Sequence, residues 1–512
     1  MTMIQNPVLR GFCPDPSIIR AGDDYYIATS TFEWWPGVRL FHSTDLANWE
    51  QLPSPIQRTS QADLRGDPTS GGIWAPCLSY DGTWYYLVYT DVKTKKGRFY
   101  NTHNYVIRTQ NIRGEWSEPV YLNSIGFDPS LFHDHDGKKY LVNMINGFKG
   151  ILVQEYDPET GELKGERKKI FDGTKFGYTE GPHIYHIGDW YYLIVAEGGT
   201  GYEHCVTMAR SKNIWGPYEI DPENPVLTSN SADPLALQKC GHADIVETQN
   251  GEWYMAHLCA RPSEAANGCV LGRETALQKM EWQNGWLRLV GGGNQARLTT
   301  SLPAGIKKTT AIDNKFSDDF DCSQLNVQYD FPRIPATGFA DLSSRPGWLR
   351  LKGQESLNSL HDVSLVALRQ QKMNASAQTV MEFAPEYPEQ MAGLAYVYDA
   401  LNYYLLCKTV DEADRAILVL LRSDGGSITD LTKPVLVPEG KLELIAVASE
   451  CGTVEFGWRS ESSEWQIIGE IQPLSLLTDE HCRGFTGAQF GMYVHDMTGL
   501  GIYADFDSFE VI

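Results

Sequence analysis

The amino-acid sequence predicts an all-β protein in which a five-bladed β-propeller is followed by an antiparallel β-sandwich. One phrase, made of a short apolar strand, a turn and an aromatic strand, recurs five times within the first 260 residues. Its copies start roughly 50–60 residues apart, which is enough for a four-stranded blade with its loops. Beyond them, apolar and polar residues alternate without the phrase, and helical patterning is nearly absent.

Each copy of the phrase has the features of a β-hairpin. A turn that contains Gly, Asp or Asn joins an apolar strand to a strand rich in aromatic residues, which is a typical hairpin signature. The five copies span residues 15–28, 75–88, 128–142, 181–194 and 242–256. This regular spacing predicts five equivalent blades around one central channel.

The chain of 512 residues is longer than one hydrophobic core usually supports, so two domains are expected. We assign the propeller to residues 1–305 and the sandwich to residues 315–512. The composition shifts near Leu302-Pro-Ala-Gly-Ile, which we interpret as a linker. Downstream, segments such as Leu349-Arg-Leu-Lys and Ala416-Ile-Leu-Val-Leu-Leu are separated by turns, as is typical of an antiparallel sandwich.

Composition and charge narrow the classes of partner. The formal net charge of −22 argues against nucleic acids and membrane surfaces, because an acidic protein repels phosphate and anionic lipid. A neutral substrate fits best.

The chain does not open with a basic start and an apolar run, and no apolar stretch is long enough to span a bilayer. The ten cysteines are scattered without metal-ligand spacing, so we expect reduced thiols and a cytoplasmic location.

Alignment of the five copies at their shared proline, or its equivalent, predicts which residues meet at the channel. In a propeller, the starts of the first strands converge on one face. The residues at or just before this point are Asp15, Trp74, Asp128, Glu180 and His242. Three carboxylates, a tryptophan and a histidine are therefore expected to face one funnel.

Three acids that share one cavity repel one another, so at least one of them is expected to have a raised pKa. Glycoside hydrolysis needs this pairing of a protonated acid and an ionised base. In the alternative interpretation, the two Asp-Pro pairs only start turns, and their carboxylates accept backbone N–H groups. Two such pairs in register with a Glu and a His favour a functional site.

Six motifs spaced along the chain resemble those of glycoside hydrolase family 43, and more narrowly its two-domain β-xylosidases. They are Gly11-Phe-Cys-Pro-Asp-Pro-Ser, Gly71-Gly-Ile-Trp-Ala-Pro, Phe127-Asp-Pro-Ser, Thr179-Glu-Gly-Pro-His, Ala196-Glu-Gly-Gly-Thr-Gly-Tyr-Glu-His and Leu271-Gly-Arg-Glu-Thr. The resemblance covers essentially the whole chain. It implies hydrolysis with inversion, in which Asp15 is the general base and Glu180 the general acid. Asp128 would be the third carboxylate, which orients the acid and raises its pKa.

The same resemblance implies a set of substrate-binding residues. Phe32 and Trp74 would form the walls of a xylose pocket, and Thr200 would lie near the general acid. Arg273 would hydrogen-bond xylose hydroxyls, with a surface salt bridge as its alternative role. Phe485 resembles an aromatic residue that a sandwich loop inserts into the site, which would close one end of the cleft and make cleavage exo-acting; packing in the sandwich core is its alternative.

His242 matches a channel histidine of the family, and a hydrogen-bonded core histidine is the alternative interpretation. In some relatives a divalent cation, often calcium, borders this residue. The sequence has no carboxylate loop dedicated to calcium, so we assign no metal ligands and no required cofactor, and leave a cation near His242 open. The resemblance also implies a homotetramer, for which the sequence offers no interface signature.

One segment departs from the family pattern. Relatives usually carry a Trp-Asp pair after Val142-Asn-Met, whereas this chain reads Met144-Ile145-Asn146-Gly147-Phe148. The contact to the leaving-group sugar is therefore expected to differ. The sequence as a whole predicts an exo-β-1,4-xylosidase acting on xylobiose and short xylo-oligosaccharides. An α-L-arabinofuranosidase and a non-catalytic sugar-binding propeller are the alternatives.

Overall fold

The computed structural model describes residues 2–230, 236–310, 315–461 and 463–512. In these ranges regular structure is almost entirely β-strand, which confirms the predicted all-β class. The helical segments are one short α-helix, Asp479–Cys482, and the 3-10 turns Gly97–Phe99, Ala336–Gly338 and Leu474–Leu477. None of the helices in the described ranges is long and apolar enough to cross a membrane.

Five antiparallel sheets, each with four strands in sequential order, are the blades of the predicted propeller. Blade 1 contains Ser17–Ala21, Asp24–Ser30, Val38–Ser43 and Glu50–Leu52, and blade 2 contains Gly72–Tyr80, Tyr85–Thr94, Asn101–Thr109 and Val120–Asn123. Blade 3 contains Ser130–His133, Lys139–Met144, Ile151–Asp157 and Glu162–Phe171, and blade 5 contains Gln238–Glu247, Trp253–Ala260, Arg273–Gln283 and Trp286–Leu289. Blade 4 contains Glu180–Ile187, Trp190–Glu197, Cys205–Ser211 and Glu219–Ile220, and a fifth short strand, Leu227–Thr228, pairs with its third strand.

The first strand of each blade contacts the first strands of both neighbouring blades, and these contacts form a closed ring. The five inner strands therefore line the central channel. Outside the blades, Met3–Gln5 pairs antiparallel with Thr299–Ser301, which joins the start of the chain to the end of the propeller segment. The Asn6 side chain reinforces this closure by donating to the carbonyl oxygen of Leu277 at 2.7 Å.

The second half of the described chain forms two antiparallel sheets. The nine-stranded sheet contains Phe316–Asp318, Ala340–Asp341, Leu349–Lys352, Ala375–Glu382, Lys441–Ser449, Thr453–Ser460, Gln466–Ile467, Gln472–Pro473 and Tyr503–Val511. The seven-stranded sheet contains Ser364–Arg369, Gln390–Val397, Tyr403–Val410, Ala416–Asp424, Ser427–Asp430, Val435–Leu436 and Gln489–Asp496. The predicted propeller-then-sandwich architecture is thus confirmed.

Strand Tyr403–Val410 is buried along its whole length, unlike Ala375–Glu382, in which buried and half-buried residues alternate. The reason is that the seven-stranded sheet packs on both faces. Tyr403 and Leu405 belong to a cluster that includes Phe12 and Phe32 of the propeller half. The two halves therefore share apolar core, and the sandwich is held against the propeller on the side of blade 1.

A buried ion pair also joins the two halves. The Arg39 guanidinium, on the third strand of blade 1, contacts the Asp330 carboxylate and donates to the carbonyl oxygen of Phe12 at 2.7 Å. Both charged side chains are almost completely removed from solvent. Beside them, Trp34–Trp35 pairs with Phe331–Pro332. Charge pairing, strand pairing and apolar contact thus act at one interface.

We predict that Arg39→Met destabilises the protein by about 3–5 kcal/mol, because the Asp330 carboxylate would be left buried without its partner. The matched control is Arg65→Met, which removes the exposed pair between Arg65 and Asp362 at 2.9 Å. That change is expected to cost no more than about 1 kcal/mol. The urea midpoints of the two variants measure the difference, and equal losses would contradict a special role for the buried pair.

Candidate active site

One residue with a left-handed backbone conformation recurs in each blade, either just before the inner strand, at its start, or at a register shift within it. The five equivalent residues all have positive φ, between 33° and 54°: Asp15, Ala75, Asp128, Gly181 and His242. Such values are uncommon for residues that carry a Cβ, and they cluster at functional sites. Glu180 and Trp74 directly precede two of these residues. The residues singled out from the sequence repeat therefore sit at one repeated structural position.

Asp15 lies in the most polar corner of the site. Its carboxylate accepts hydrogen bonds from the Ser30 hydroxyl at 2.7 Å and from the Arg273 guanidinium at 3.1 Å. Burial by itself raises the pKa of this carboxyl, but Arg273, His242 and the Ser30 hydrogen bond together lower the pKa below the usual value. Asp15 is therefore an ionised, oriented carboxylate near neutral pH.

The pKa values of Asp128 and Glu180 are shifted in the direction opposite to that of Asp15. Burial, followed by the charge of Asp15, raises the pKa of Asp128 to about 8 although its carboxylate accepts the N–H of Gly181 at 3.0 Å. Burial, then the charges of Asp128 and Asp15, raise the pKa of Glu180 well above its usual value. Neither side chain has a guanidinium bonded to it in the described structure. The site therefore holds both an ionised and a protonated carboxyl near neutral pH.

His242 lies close to both Asp15 and Asp128. Its Nδ1 lies 3.8 Å from the nearer oxygen of Asp15 and 4.0 Å from that of Asp128. Burial lowers the pKa of the imidazole to about 4, so the ring is neutral at pH 7 and these contacts are not ion pairs. A Cβ on Gly181 would lie 3.1–3.2 Å from the ring, so the glycine lets the histidine pack directly on the backbone.

Aromatic rings form the apolar wall of the site. The Phe32 centroid lies 6.1 Å from that of Trp74 and 5.8 Å from that of Phe485, and Trp74 meets Phe485 edge-on at 6.1 Å. Trp74 also packs edge-on against Phe127 at 5.3 Å. The Arg273 guanidinium lies over Phe32 and Phe485, 5.4 and 5.1 Å from their centroids. Aromatic rings thus line one side of the site, and the Arg273 cation lies over two of them.

Phe485 reaches this wall from the sandwich half. Its carbonyl oxygen accepts from Arg273 at 3.3 Å, and its N–H donates to the Ser70 hydroxyl at 2.9 Å. The ring is half-buried against the pocket aromatics. The neighbouring Gly484 leaves no space for a side chain, because a Cβ would lie 2.6 Å from the Tyr398 ring.

Thr200 is less closely tied to the site. It lies half-buried in the bend after strand Trp190–Glu197, and it makes no hydrogen bond to the three carboxylates among the described residues. Its predicted position near the general acid stays a prediction.

Sequence reasoning missed three polar residues around the site. Ser30 bonds Asp15, Ser70 bonds Phe485, and His204 is fully buried with its Nε2 unpartnered among the described residues. Ser70 and His204 lie beside or at the end of motifs that were recognised from the sequence. Their side-chain partners could not be found there, because these partners come from other blades or from the sandwich.

The described residues do not form a cation site by themselves. Calcium usually takes six to eight oxygen ligands. The carboxylates of Asp15 and Asp128 beside His242 already accept from Ser30, Arg273 and the N–H of Gly181. No group of three or more His, Cys, Asp or Glu residues in the described part of the chain could hold a metal ion. A cation near His242 stays a prediction.

Comparison with known proteins gives a consistent family assignment. The profile of Glycosyl hydrolases family 43 matches residues 4–287, and that of the beta xylosidase C-terminal concanavalin A-like domain matches residues 317–512. A beta-xylosidase of Bacillus subtilis (strain 168) is 46% identical over 99% of both chains. A protein named xylosidase/arabinosidase 43B from Humicola insolens is 45% identical over 99% of this chain and 97% of its own length.

A solved structure extends the likeness to three dimensions. The crystal structure of a xylan beta-1,4-xylosidase from Bacillus halodurans C-125 superposes with a TM-score of 0.96, at 48% identity over 99% of each chain. The resemblance deduced from the sequence motifs is confirmed.

We predict that Asp128→Asn and Asp15→Asn change stability in opposite directions. The pKa of Asp128 is about 8 in the folded protein and close to 3.8 in the unfolded chain, so the folded state keeps a proton that the unfolded chain has lost. Asp128 therefore lowers the free energy of unfolding progressively as the pH rises from about 4 to about 8. Asparagine does not titrate, and it can still accept the Gly181 N–H. Asp128→Asn should stabilise the protein by about 1–3 kcal/mol at pH 8, with little difference near pH 4.

For Asp15 the folded pKa is lowered, so its ionised form contributes stability above pH 3.8, which is lost as the pH falls. Asp15→Asn should therefore destabilise the protein at pH 7 to 8. Urea midpoints measured at pH 4.5 and pH 8 give both comparisons. Changes of the same sign in the two variants would show that these carboxyls do not have opposite environments.

Proposed function

This chain belongs to glycosyl hydrolases family 43, and from that premise we propose that it is an exo-acting β-1,4-xylosidase. Its substrates would be xylobiose and short xylo-oligosaccharides, cleaved from the non-reducing end with inversion at the anomeric carbon. The observation that carries this proposal is the opposite titration of Asp15 and Glu180, two buried carboxyls of one channel mouth. A glycosidase needs one ionised and one protonated carboxyl at the same pH.

In this proposal Asp15 is the general base. Its carboxylate, held by Arg273 and Ser30, takes a proton from a water molecule that attacks the anomeric carbon. Glu180 is the general acid and gives its proton to the glycosidic oxygen as the bond breaks. The two residues belong to blades 1 and 4, which are not neighbours in the ring. This arrangement supports a separation with room for the water, about 6.5–9.5 Å in inverting enzymes.

Asp128 would act on Glu180. Asp128 is the second cause, after burial, of the raised pKa of Glu180, because two buried carboxyls in one site cannot both ionise readily. A second carboxyl in this place therefore keeps Glu180 protonated until the leaving group develops charge. His242, neutral and packed against Gly181, would complete the floor of the xylose pocket.

The walls support a terminal, neutral pentose as the bound unit. Phe32, Trp74 and Phe485 present apolar rings to one side, and Arg273 adds hydrogen-bond donors over two of them. Phe485 comes from the sandwich half and closes the cleft on that flank. A closed end favours removal of single sugars from a chain terminus, and the net charge of −22 favours an uncharged oligosaccharide.

Two exposed rings support a different contact for the leaving-group sugar, one in the segment that departs from the family pattern and one that packs against it. Phe148 and Tyr178 meet edge-on at 5.2 Å, and Phe148 lies 6.1 Å from Phe127. Both residues have positive φ, 54° and 52°, and both are exposed, at 38% and 60%. We propose that this pair contacts the second sugar in place of the tryptophan usual in relatives.

An α-L-arabinofuranosidase, alone or with xylosidase activity, is the second candidate. The observation that favours it is the Humicola insolens relative, whose name includes both activities. Rates on nitrophenyl xyloside and nitrophenyl arabinofuranoside distinguish the two, and a clear preference for the arabinofuranoside would replace our choice. A non-catalytic sugar-binding propeller does not need three crowded acids. Xylobiose that is bound but left uncut would favour it.

We further propose that the enzyme works in the cytoplasm without a required cofactor. The ten free cysteines, most of them buried, support a reducing location.

We predict that Glu180→Gln and Asp15→Asn differ in their dependence on the leaving group. Loss of general acid or base catalysis typically costs 10²- to 10⁴-fold in rate. Glu180→Gln should lose about this factor on xylobiose but much less on nitrophenyl xyloside, because nitrophenolate leaves without a proton. Asp15→Asn should lose it on both substrates. Steady-state kcat values measure this, and equal losses on both substrates in Glu180→Gln would contradict its role as the acid.

We predict that the first sugar released from xylobiose is α-xylose together with the ordinary anomeric mixture of the second unit. Attack by water on the face opposite the leaving group inverts the β-linkage. Proton NMR of the anomeric signals during the first minutes reports substrate, reaction and stereochemistry together. Accumulation of β-xylose from the non-reducing unit before mutarotation would refute inversion, and unchanged xylobiose would refute the proposed activity.

A further inference from the structure

Ser70 is a hydrogen-bond hub behind the aromatic wall. It lies just before the first strand of blade 2, is 2% exposed and has φ 55°, which is uncommon for a residue with a Cβ. Its N–H donates to the Glu33 carboxylate at 2.8 Å, and its hydroxyl accepts the Phe485 N–H at 2.9 Å. Its carbonyl oxygen accepts from the Trp74 indole at 3.0 Å and from the Lys95 ammonium at 3.1 Å.

Two of these partners are walls of the xylose pocket that come from different halves of the protein. Trp74 belongs to blade 2 and Phe485 to the sandwich half, yet both bond to the one serine. Their rings meet edge-on at 6.1 Å, and each lies about as far from the ring of Phe32. Glu33, which fixes the Ser70 N–H, directly follows Phe32 in the chain. Ser70 thus links the supports of all three rings.

The hydroxyl of Ser70 is the part of this hub that reaches across the domain boundary. It is the acceptor that the structure gives to the Phe485 N–H, while the Phe485 carbonyl is held separately by Arg273 at 3.3 Å. The Lys95 ammonium, bonded to the Ser70 carbonyl, also lies 5.6 Å from the centroid of the Phe485 ring. Removing the hydroxyl would free one end of the Phe485 peptide and leave the Trp74 contact in place.

We propose that Ser70 is a positioning residue that sets the width of the xylose pocket by holding Phe485 against Trp74. This inference rests on the proposed xylosidase function. Ser70 would act through the Phe485 ring and not by contact with the sugar, since it is 2% exposed and its N–H, carbonyl oxygen and hydroxyl oxygen each bond to a protein partner. Contact with a pocket wall stabilises the sugar equally in the bound substrate and in the transition state. Loss of the hydroxyl should therefore weaken binding more than it slows turnover.

The test compares Ser70→Ala with Ser70→Gly. Both lack the hydroxyl, but glycine adopts φ 55° without strain, so this variant keeps the test valid if the alanine variant folds poorly. We predict that KM for nitrophenyl xyloside and the Kd for xylose, measured by calorimetry, both rise about two- to tenfold. The kcat should stay within about twofold. Ser54→Ala is the matched control, because the buried Ser54 hydroxyl accepts a backbone N–H, that of Ile56, at 3.0 Å outside the pocket.

A double-mutant cycle with Phe485→Ala separates positioning from a general structural effect. If Ser70 acts through the ring, Ser70→Ala should raise KM in the parent and add little in the Phe485→Ala background. An equal factor in both backgrounds, or no change in either, would overturn the proposal. If the parent enzyme releases xylose from xylobiose but Ser70→Ala has the same KM and Kd as the parent, only the proposed role of Ser70 is refuted. A parent that neither cleaves xylobiose nor binds xylose refutes the proposed function and this inference with it.

Discussion

The left-handed backbone conformation that recurs once in each blade, just before or within the inner strand, is the constraint on which the site depends. It recurs at Asp15, Ala75, Asp128, Gly181 and His242, and at four of these the residue carries a side chain that makes the conformation costly, by about 1–3 kcal/mol each. The closed ring of inner strands supplies the contacts that hold this conformation in place. Where the residue in this conformation is small, as in blades 2 and 4, the residue before it, Trp74 or Glu180, supplies the large side chain.

Within this shared geometry, neighbouring charges decide the chemistry of each acid. All three carboxyls are buried, which alone would raise every pKa. Arg273 and the Ser30 hydroxyl bond directly to Asp15 and to neither of the others, so the pKa of Asp15 falls. Its negative charge then adds to burial in raising the pKa of Asp128 and Glu180. One arginine, bonded to Asp15 alone among the three, therefore divides similar residues into an ionised carboxylate and two carboxyls with raised pKa.

Most of the sequence prediction came from the repeat, because residues at equivalent positions of a repeated unit occupy equivalent positions in the blades. Five equivalent phrases predicted the propeller, and their alignment predicted that Asp15, Asp128, Glu180 and His242 lie at equivalent points. Ser70 could not be found in this way, because its partner Phe485 is 415 positions away and no periodic relation connects them. The burial of Tyr403–Val410 on both faces was also missed, since alternation within one strand says nothing about the domain that packs against it.

The origin of Phe485 has a consequence for the order in which the enzyme is made. The propeller can close its ring only after Thr299–Ser301 has been synthesised and is available to pair with Met3–Gln5. The aromatic wall still lacks one ring at that stage, because Phe485 follows the propeller segment in the sequence and is synthesised after it. Closure of the ring of blades and completion of the aromatic wall therefore depend on segments that are synthesised at different times.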